Sequence, residues 1–321
     1  MKAVVLTAFG SADNLVMEER EVPEIGPNDL LVKVHATSVN PADLGLRSGM
    51  FGETIKTPLV LGFDVAGVVA EVGANVQTFE RGDEVYYAVE LTDPRGGANA
   101  EYHAVNAAKV ARKPKNLSFA EAAAVPVAGG TAYAALIAAA EVKLGQSVLI
   151  HGAGGGVGTY AVQLARAAGA FVIASCGSYD AQLVTSLGAD VVVDYRNDDF
   201  AEIVRKETGG AGVDVALDTA GGKLVAASIG AVRVGGRIVT VTGAQGDLNP
   251  AMRRNISVSF VHLEDAKFKL EALRNLFERG RLESVVSHTY PLTEVADAHR
   301  KLEAGGEEVY GKVVVEVAGT A

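Results

Sequence analysis

Between Asp29 and Asn40 the chain reads DLLVKVHATSVN, with Leu30, Val32, Val34 and Ala36 alternating against Leu31, Lys33, His35 and Thr37. A period of two predicts a strand with one buried face. Turn signals follow at short spacing: VPEIGPND, RSGMFGE, EVGANV, ERGDEV and DPRGGAN each carry Gly or Pro. Closely spaced turns between short strands predict a small, barrel-like β domain, and the opening MKAVVLTAFG supplies its first strand. From about Pro126 the rhythm changes. SVLIHG, AFVIAS, DVVVDY, VDVALD and GRIVTVTG are short apolar runs, as strands buried on both faces of a parallel sheet must be. They alternate with helical spacing at Gly156–Ala168, Asp180–Leu187, Phe200–Glu207 and Lys223–Val232. After ISVSFVHL comes a further helix at Asp265–Arg279, and the chain closes on another strand, GKVVVEV. Strand–helix alternation at this spacing predicts a doubly wound sheet. The expected fold class is α/β: a β-rich domain at 1–125 and 263–321, interrupted by a doubly wound parallel-sheet domain at 126–262.

A length of 321 residues accommodates two domains, each with its own core. The formal net charge of −10 argues against nucleic acid or an anionic membrane as partner, because both would be repelled. The densest basic runs, Arg112–Lys115 and Arg253–Arg254, have no interleaved aromatics and are expected as solvated loops. A single cysteine, Cys176, leaves no intramolecular disulfide and no cysteine-built zinc site. It is expected as a small buried filler. The apolar part of the opening is too short for a signal peptide, and no apolar run approaches the roughly 20 residues of a membrane span. A cytoplasmic location is the simplest expectation.

The stretch LIHGAGGGVGTYAVQLARAAGA (Leu149–Ala170) joins an apolar run to a helical pattern through five glycines. Ala153, Gly155 and Gly158 hold the three positions of the dinucleotide fingerprint, with Gly156 and Val157 between the last two. The middle glycine lets backbone approach a pyrophosphate, and the last lets helix pack close to strand. The helix N-terminus offers its N–H groups to the anion. With a strand before, a helix after and further β/α units beyond, phosphate binding is favoured over a purely structural turn. No Gly-Lys-Ser/Thr follows, which argues against a nucleotide triphosphatase. No Gly-x-Ser-x-Gly stretch supports a serine hydrolase.

An NAD site usually carries an acid at the end of the second strand, where it binds the ribose 2′-hydroxyl. Here that strand ends at Ser175, and no acid occurs before Asp180. Ser175, Ser178 and Tyr179 could donate hydrogen bonds to a 2′-phosphate, which favours NADPH over NADH. No Arg or Lys stands in that loop, however, and Asp180 would favour NADH if it pointed into the site.

MKAVV, VNPAD (Val39–Asp43), LGFDVAGVV (Leu61–Val69), VGANVQTFERGDEVY, GGTAYAAL (Gly129–Leu136), GAGGGVG, SLGADVVVDY (Ser186–Tyr195) and GKVVV (Gly311–Val315) occur in that order along the chain. In these stretches the chain resembles the medium-chain dehydrogenase/reductase superfamily, and within it the zinc-independent quinone oxidoreductase branch. The resemblance implies a GroES-like substrate domain joined to a Rossmann domain, with hydride from NADPH reducing a quinone or an α,β-unsaturated carbonyl. It also implies no metal. Zinc-dependent relatives carry a ligand Cys where this chain has Asn40 and a ligand His where it has Phe63. Asn40 and Asp43 would lie near the nicotinamide and the substrate, although Asn-Pro before a helical turn is also capping chemistry. Thr131 would contact the nicotinamide and Tyr195 the adenosine phosphate. Gly243 follows a later strand at its carboxyl end, where ligands of such sheets bind. Relatives often carry a basic residue at the place of Asp180, and several carry a tyrosine at the place of Gly45. The missing tyrosine removes a proton donor, so a dinucleotide-binding protein without significant turnover stands as the second reading. Family usage adds a homodimer through the sheet edge near ISVSFV. His151 matches a packing position, and the other five histidines show neither metal spacing nor a paired nucleophile.

Overall fold

Val-, Ile- and Ala-rich runs form the strands of a computed structural model that describes residues 1–317, apart from 51, 53, 54, 91–94 and 265. Parts of the expected turns at RSGMFGE and DPRGGAN lie outside the described residues, as does Asp265 at the expected start of a helix. The chain divides into two units, Met1–Val127 with Asp265–Ala321, and Ala128–Glu264. The first unit opens with β1 (Lys2–Leu6), β2 (Leu15–Glu19), β3 (Asp29–Val39), β4 (Leu59–Val60), β5 (Asp64–Val72), β6 (Glu84–Ala88), β7 (Tyr102–Asn106) and β8 (Ala111–Arg112). The second holds β9 (Ser147–His151), β10 (Phe171–Cys176), β11 (Val191–Asp194), β12 (Val213–Asp218), β13 (Val232–Thr240) and β14 (Ser257–Phe260). The chain returns to the first unit with β15 (Val286–Pro291) and β16 (Lys312–Glu316).

In the first unit, β3 is the organising strand, pairing antiparallel with β5, β7 and β16. The sheet runs β15-β16-β3-β5-β6-β8 with β7 on β3, and a smaller sheet runs β2-β1-β4. Alternation along β3 predicts one buried face, but Leu31 and Thr37 are buried as well as Leu30, Val32 and Val34. The helix Phe119–Ala123 covers the second face, with its Phe119 ring stacked on His35 at 4.2 Å. The basic run beginning at Arg112 is not a solvated loop. Lys113 is buried, donates to the carbonyls of Pro114 and Leu117, and pairs with Glu84 at 3.1 Å. Set in the basic run RKPK, it has no periodicity around it from which such burial could be read.

The second unit is a parallel sheet in the order β11-β10-β9-β12-β13-β14. Leu149, Ile173, Val193, Val204 and Ile238 fill one side of its core. Strand order reverses between β9 and β12, and ligands of doubly wound sheets bind at the carboxyl ends of the strands at such a reversal. The helices Gly156–Ala167, Ala181–Leu187 and Phe200–Glu207 follow their strands closely to expectation. The helix expected at Lys223–Val232 is only Leu224–Ser228, because Gly230 intervenes and Val232 already opens β13. In the first unit, Val295–Ala304 is a helix that the mixed character of its sequence did not announce.

That last helix buries His299, whose two ring nitrogens have no hydrogen-bond partner among the described residues. Burial, assisted by the nearby Arg47 cation, pushes the imidazole down to about 3 from an ordinary 6.5. As pH falls, the unfolded chain therefore binds this proton first. The stabilisation is complete above about pH 6.5 and is lost as pH falls from there toward 3. In denaturant melts between pH 6 and 4, wild type is expected to lose about 1.4 kcal/mol per pH unit relative to His299→Leu; parallel slopes would mean that His299 does not carry this burden.

Candidate functional site

Strand β9 delivers the chain into the glycine turn at the carboxyl edge of the parallel sheet. Gly152 takes φ +73°, a left-handed conformation that favours glycine. The Ala153 N–H donates to the Ser175 carbonyl at 3.0 Å, tying the turn to β10. Gly158 and Gly154 answer two different steric constraints. A Cβ on Gly158 would stand 2.0 Å from the Gly152 carbonyl oxygen, so the helix Gly156–Ala167 can lie this close to the turn only without a side chain there. A Cβ on Gly154 would stand 2.1 Å from Asp180 Oδ2. Gly155 is different. Its backbone is extended (φ −80°, ψ 178°), it is exposed, and a Cβ there would meet nothing nearer than 3.5 Å. The fold therefore has no use for a glycine at 155. A ligand approaching the backbone does, and the first N–H groups of the helix, which have no intrahelical acceptor, lie beside it.

One rim of this turn is built from β10 and β11. Ser175 is buried at the end of β10, Ser178 is exposed, and Asp180 is only 7% exposed. Tyr195, directly after β11, is 56% exposed. The Arg196 guanidinium lies 5.3 Å from the Tyr179 ring centre and 5.5 Å from that of Tyr195, within cation–π range of both. The loop after β10 lacks a cation in sequence, but its parallel neighbour supplies one: pairing of β10 with β11 sets their carboxyl-end loops side by side. Cys176 is buried, and burial pushes its thiol up to about 11, so it is not a reactive thiolate. Thr131 is buried on the helix Pro126–Tyr133. Gly243 lies just past β13, where its N–H donates to Thr240 Oγ1 at 3.4 Å. Thr240 donates in turn to Asp218.

The first unit holds a second polar cluster, buried where β3, β5 and β16 meet the helix Pro41–Ser48. Asn40, 3% exposed, caps that helix. Its Nδ2 donates to Asp64 Oδ2 at 2.8 Å and to Asp43 Oδ2 at 3.3 Å, and its Oδ1 accepts from Lys312 Nζ. Ser38 also donates to Asp64, and Lys312 Nζ lies 3.4 Å from the same carboxylate. The Asn40 carboxamide is thus committed to internal partners on both sides. Asp43 accepts from the N–H of Asn40 at 2.9 Å and from that of Gly62 at 3.0 Å. Burial pushes its carboxyl up to about 7 against the pull of those donors. Leu46 of the same helix borders a cavity of about 550 Å³, with Val60, Phe63, Val89 and His103 also in its wall.

Comparison with known proteins adds the following. The alcohol dehydrogenase GroES-like domain model matches residues 26–115, and the zinc-binding dehydrogenase model matches residues 187–315. A quinone oxidoreductase of Homo sapiens is 33% identical over 98% of this chain and 97% of its own length. An NADPH-dependent alkenal/one oxidoreductase, chloroplastic, of Arabidopsis thaliana is 37% identical over 98% of this chain and 79% of its own length. The crystal structure of an NAD-dependent alcohol dehydrogenase superposes with a TM-score of 0.92 at 35% identity, covering 99% of this chain and 100% of that one. The chain belongs to the medium-chain dehydrogenase/reductase superfamily, in its quinone oxidoreductase-like branch.

As a member of that superfamily the chain is an oxidoreductase, with a GroES-like unit and a Rossmann unit. Sequence reasoning passed over Arg196 and Lys312. The signals were present: Arg196 follows Tyr195 at the end of a predicted strand, and Lys312 is a lone charge heading the apolar run VVV. Two outcomes are expected from this geometry. Gly155→Ala should leave stability within about 1 kcal/mol of wild type while weakening dinucleotide binding at least tenfold, whereas Gly158→Ala should cost more than about 2 kcal/mol; thermal melts and cofactor titrations separate the two. Lys312→Met strands the Asp64 carboxylate and should cost about 3–5 kcal/mol, with part of the loss recovered in the Lys312→Met, Asp64→Asn double variant.

Proposed function

We propose that this chain is a zinc-independent, NADPH-dependent reductase of quinones or α,β-unsaturated carbonyl compounds, located in the cytoplasm. The observation that carries the reading is Gly155, a glycine that neither its dihedral angles nor its neighbours require. Gly155, Gly156, Val157 and Gly158 hold the pyrophosphate, with Ala153 setting the turn. Ser175, Ser178, Tyr195 and the missed Arg196 receive the adenosine end, and Thr131 and Gly243 receive the nicotinamide end. NADPH in the relative's name supports that choice of dinucleotide, as does a cation lying over two tyrosines beside the turn.

Zinc does not fit the residues present. A catalytic zinc in this fold would need a thiolate and an imidazole at the places of Asn40 and Phe63. The Asn40 carboxamide is already engaged on both sides, and a phenyl ring donates nothing. Bound NADPH supplies a hydride from C4 of its nicotinamide. The protein's residues then orient rather than polarise. Asp43 and Asn40 act indirectly, fixing the start of the helix whose Leu46 borders the cavity. That cavity, about 550 Å³, lies within the range of small-molecule sites. Its wall residues Val60, Phe63 and Val89 suit a flat conjugated substrate, which spreads the incoming charge without a Lewis acid. Water or a positioned donor supplies the proton, and Gly45 leaves no phenol at that place. The edge strand β14, with Phe260 62% exposed, is the surface through which we propose that two copies pair.

The glycine at position 45 also favours the second reading, binding without turnover, and one assay separates the two. Absorbance at the reduced-nicotinamide band should fall catalytically when NADPH is mixed with the protein and a panel of quinones and enones, and a strong zinc chelator should leave the rate unchanged. Binding without consumption of NADPH across the panel would favour the second reading, and loss of rate with the chelator would remove zinc independence.

A further inference from the structure

Two buried side chains of the first unit carry polar atoms that no described residue satisfies. Both lie where the helices Pro41–Ser48 and Val295–Ala304 pack together. Arg47, 3% exposed, gives one nitrogen, Nη2, to Glu303 Oε2 at 2.7 Å, while its Nε and Nη1 meet no acceptor. Glu303 stands four residues after His299 on its helix, so the two share a face one turn apart. The ion pair therefore brings the guanidinium up to the His299 ring, close enough for its charge to act there. His299 is 1% exposed, and neither ring nitrogen has a partner among the described residues. Nε and Nη1 of Arg47 carry three N–H bonds and a neutral imidazole carries one, against a single acceptor nitrogen. Buried polar groups are nearly always hydrogen-bonded. A surplus of donors calls for an acceptor.

Charge says which kind of acceptor. Among the described residues, the only carboxylate paired with Arg47 is that of Glu303, whose side chain is 57% exposed. The other acids of the two helices are engaged elsewhere: Asp43 accepts from the N–H groups of Asn40 and Gly62, and Asp297 pairs with Arg300. A buried guanidinium with one half-exposed counter-charge is costly, and a second negative charge would relieve it. Both side chains are closed off from solvent, which limits that charge to a compact ion. We propose that Arg47 and His299 bind a monatomic anion of chloride's size, held by Nε–H and Nη1–H of Arg47 and a ring N–H of His299. The anion ties the helix Val295–Ala304 to the helix that lends Leu46 to the cavity wall. This site is separate from the glycine turn and does not depend on its being a dinucleotide site. A water molecule would supply an acceptor but no charge, and the test tells the two apart.

The test uses chloride and its anomalously scattering counterpart, bromide. Crystals of the full chain grown in sodium bromide are expected to show an anomalous peak within hydrogen-bond reach of Arg47 and His299. Thermal melts of wild type are then compared in sodium chloride and in sodium gluconate at equal ionic strength, gluconate being too bulky to enter. Chloride should stabilise wild type, raising the folded-to-unfolded ratio about elevenfold at ten times its Kd. Arg47→Met and His299→Leu should each remove most of that difference. If Arg47→Met does not fold, His299→Leu and the crystal decide. Density without an anomalous signal, which is water, would overturn the proposal, as would wild-type melts that are alike in the two salts. A chloride preference that survives both substitutions is a general salt effect and overturns it too. A bromide peak with no chloride effect on the melts marks an adventitious ion only, with the same consequence.

Discussion

The rest of the second unit depends on one close approach: the helix Gly156–Ala167 seats so tightly on the turn after β9 that no side-chain atom fits at Gly158. That contact fixes where the helix begins, and so where its unpaired N–H groups lie relative to the carboxyl ends of β9 and β12. It also aligns Gly155 at the open side of the turn. The parallel order of β9, β10 and β11 does the remainder, bringing Ser175, Asp180, Tyr195 and Arg196 to the same edge from loops far apart in sequence. The chemistry of the site is thus a consequence of backbone packing before any ligand is considered.

The first unit is organised on the opposite principle. Its centre is a buried polar knot of Ser38, Asn40, Asp43, Asp64 and Lys312. Burying a carboxylate and an ammonium costs several kcal/mol each, and here the cost is offset because both Asp64 oxygens accept donors: Val127 N–H on one, and Ser38 and Asn40 on the other. Such a network is satisfied in one arrangement only, which makes it a locating device for the helix Pro41–Ser48. Through these bonds Asn40 and Asp43 fasten the element that borders the cavity.

Much of this was legible in the sequence, for reasons tied to particular residues. The apolar runs of the parallel strands and the glycines at 152–158 announce themselves because period and backbone freedom are local properties. The resemblance added order to these signals. The roles of Asn40, Lys113 and Arg196 were not legible, because each depends on a partner distant in sequence. Lys113 meets Glu84, Asn40 meets Lys312, and Arg196 meets Tyr179. The helix ending at Ser228 was overextended because alanine-rich spacing continues past the point where Gly230 stops it. Asp180 is the instructive case: its identity was plain, but its direction, back onto Gly154, belongs to the fold.

On the proposed function, the glycine turn serves the direct delivery of hydride to a conjugated acceptor. Incubating the protein with an enone and NADPH deuterated at C4 on either face, followed by mass spectrometry of the product, tests that delivery most directly. One of the two labelled cofactors is expected to place a single deuterium on the β-carbon of the saturated product. Saturated product free of deuterium from both labels, or no product while NADPH remains bound, would contradict it.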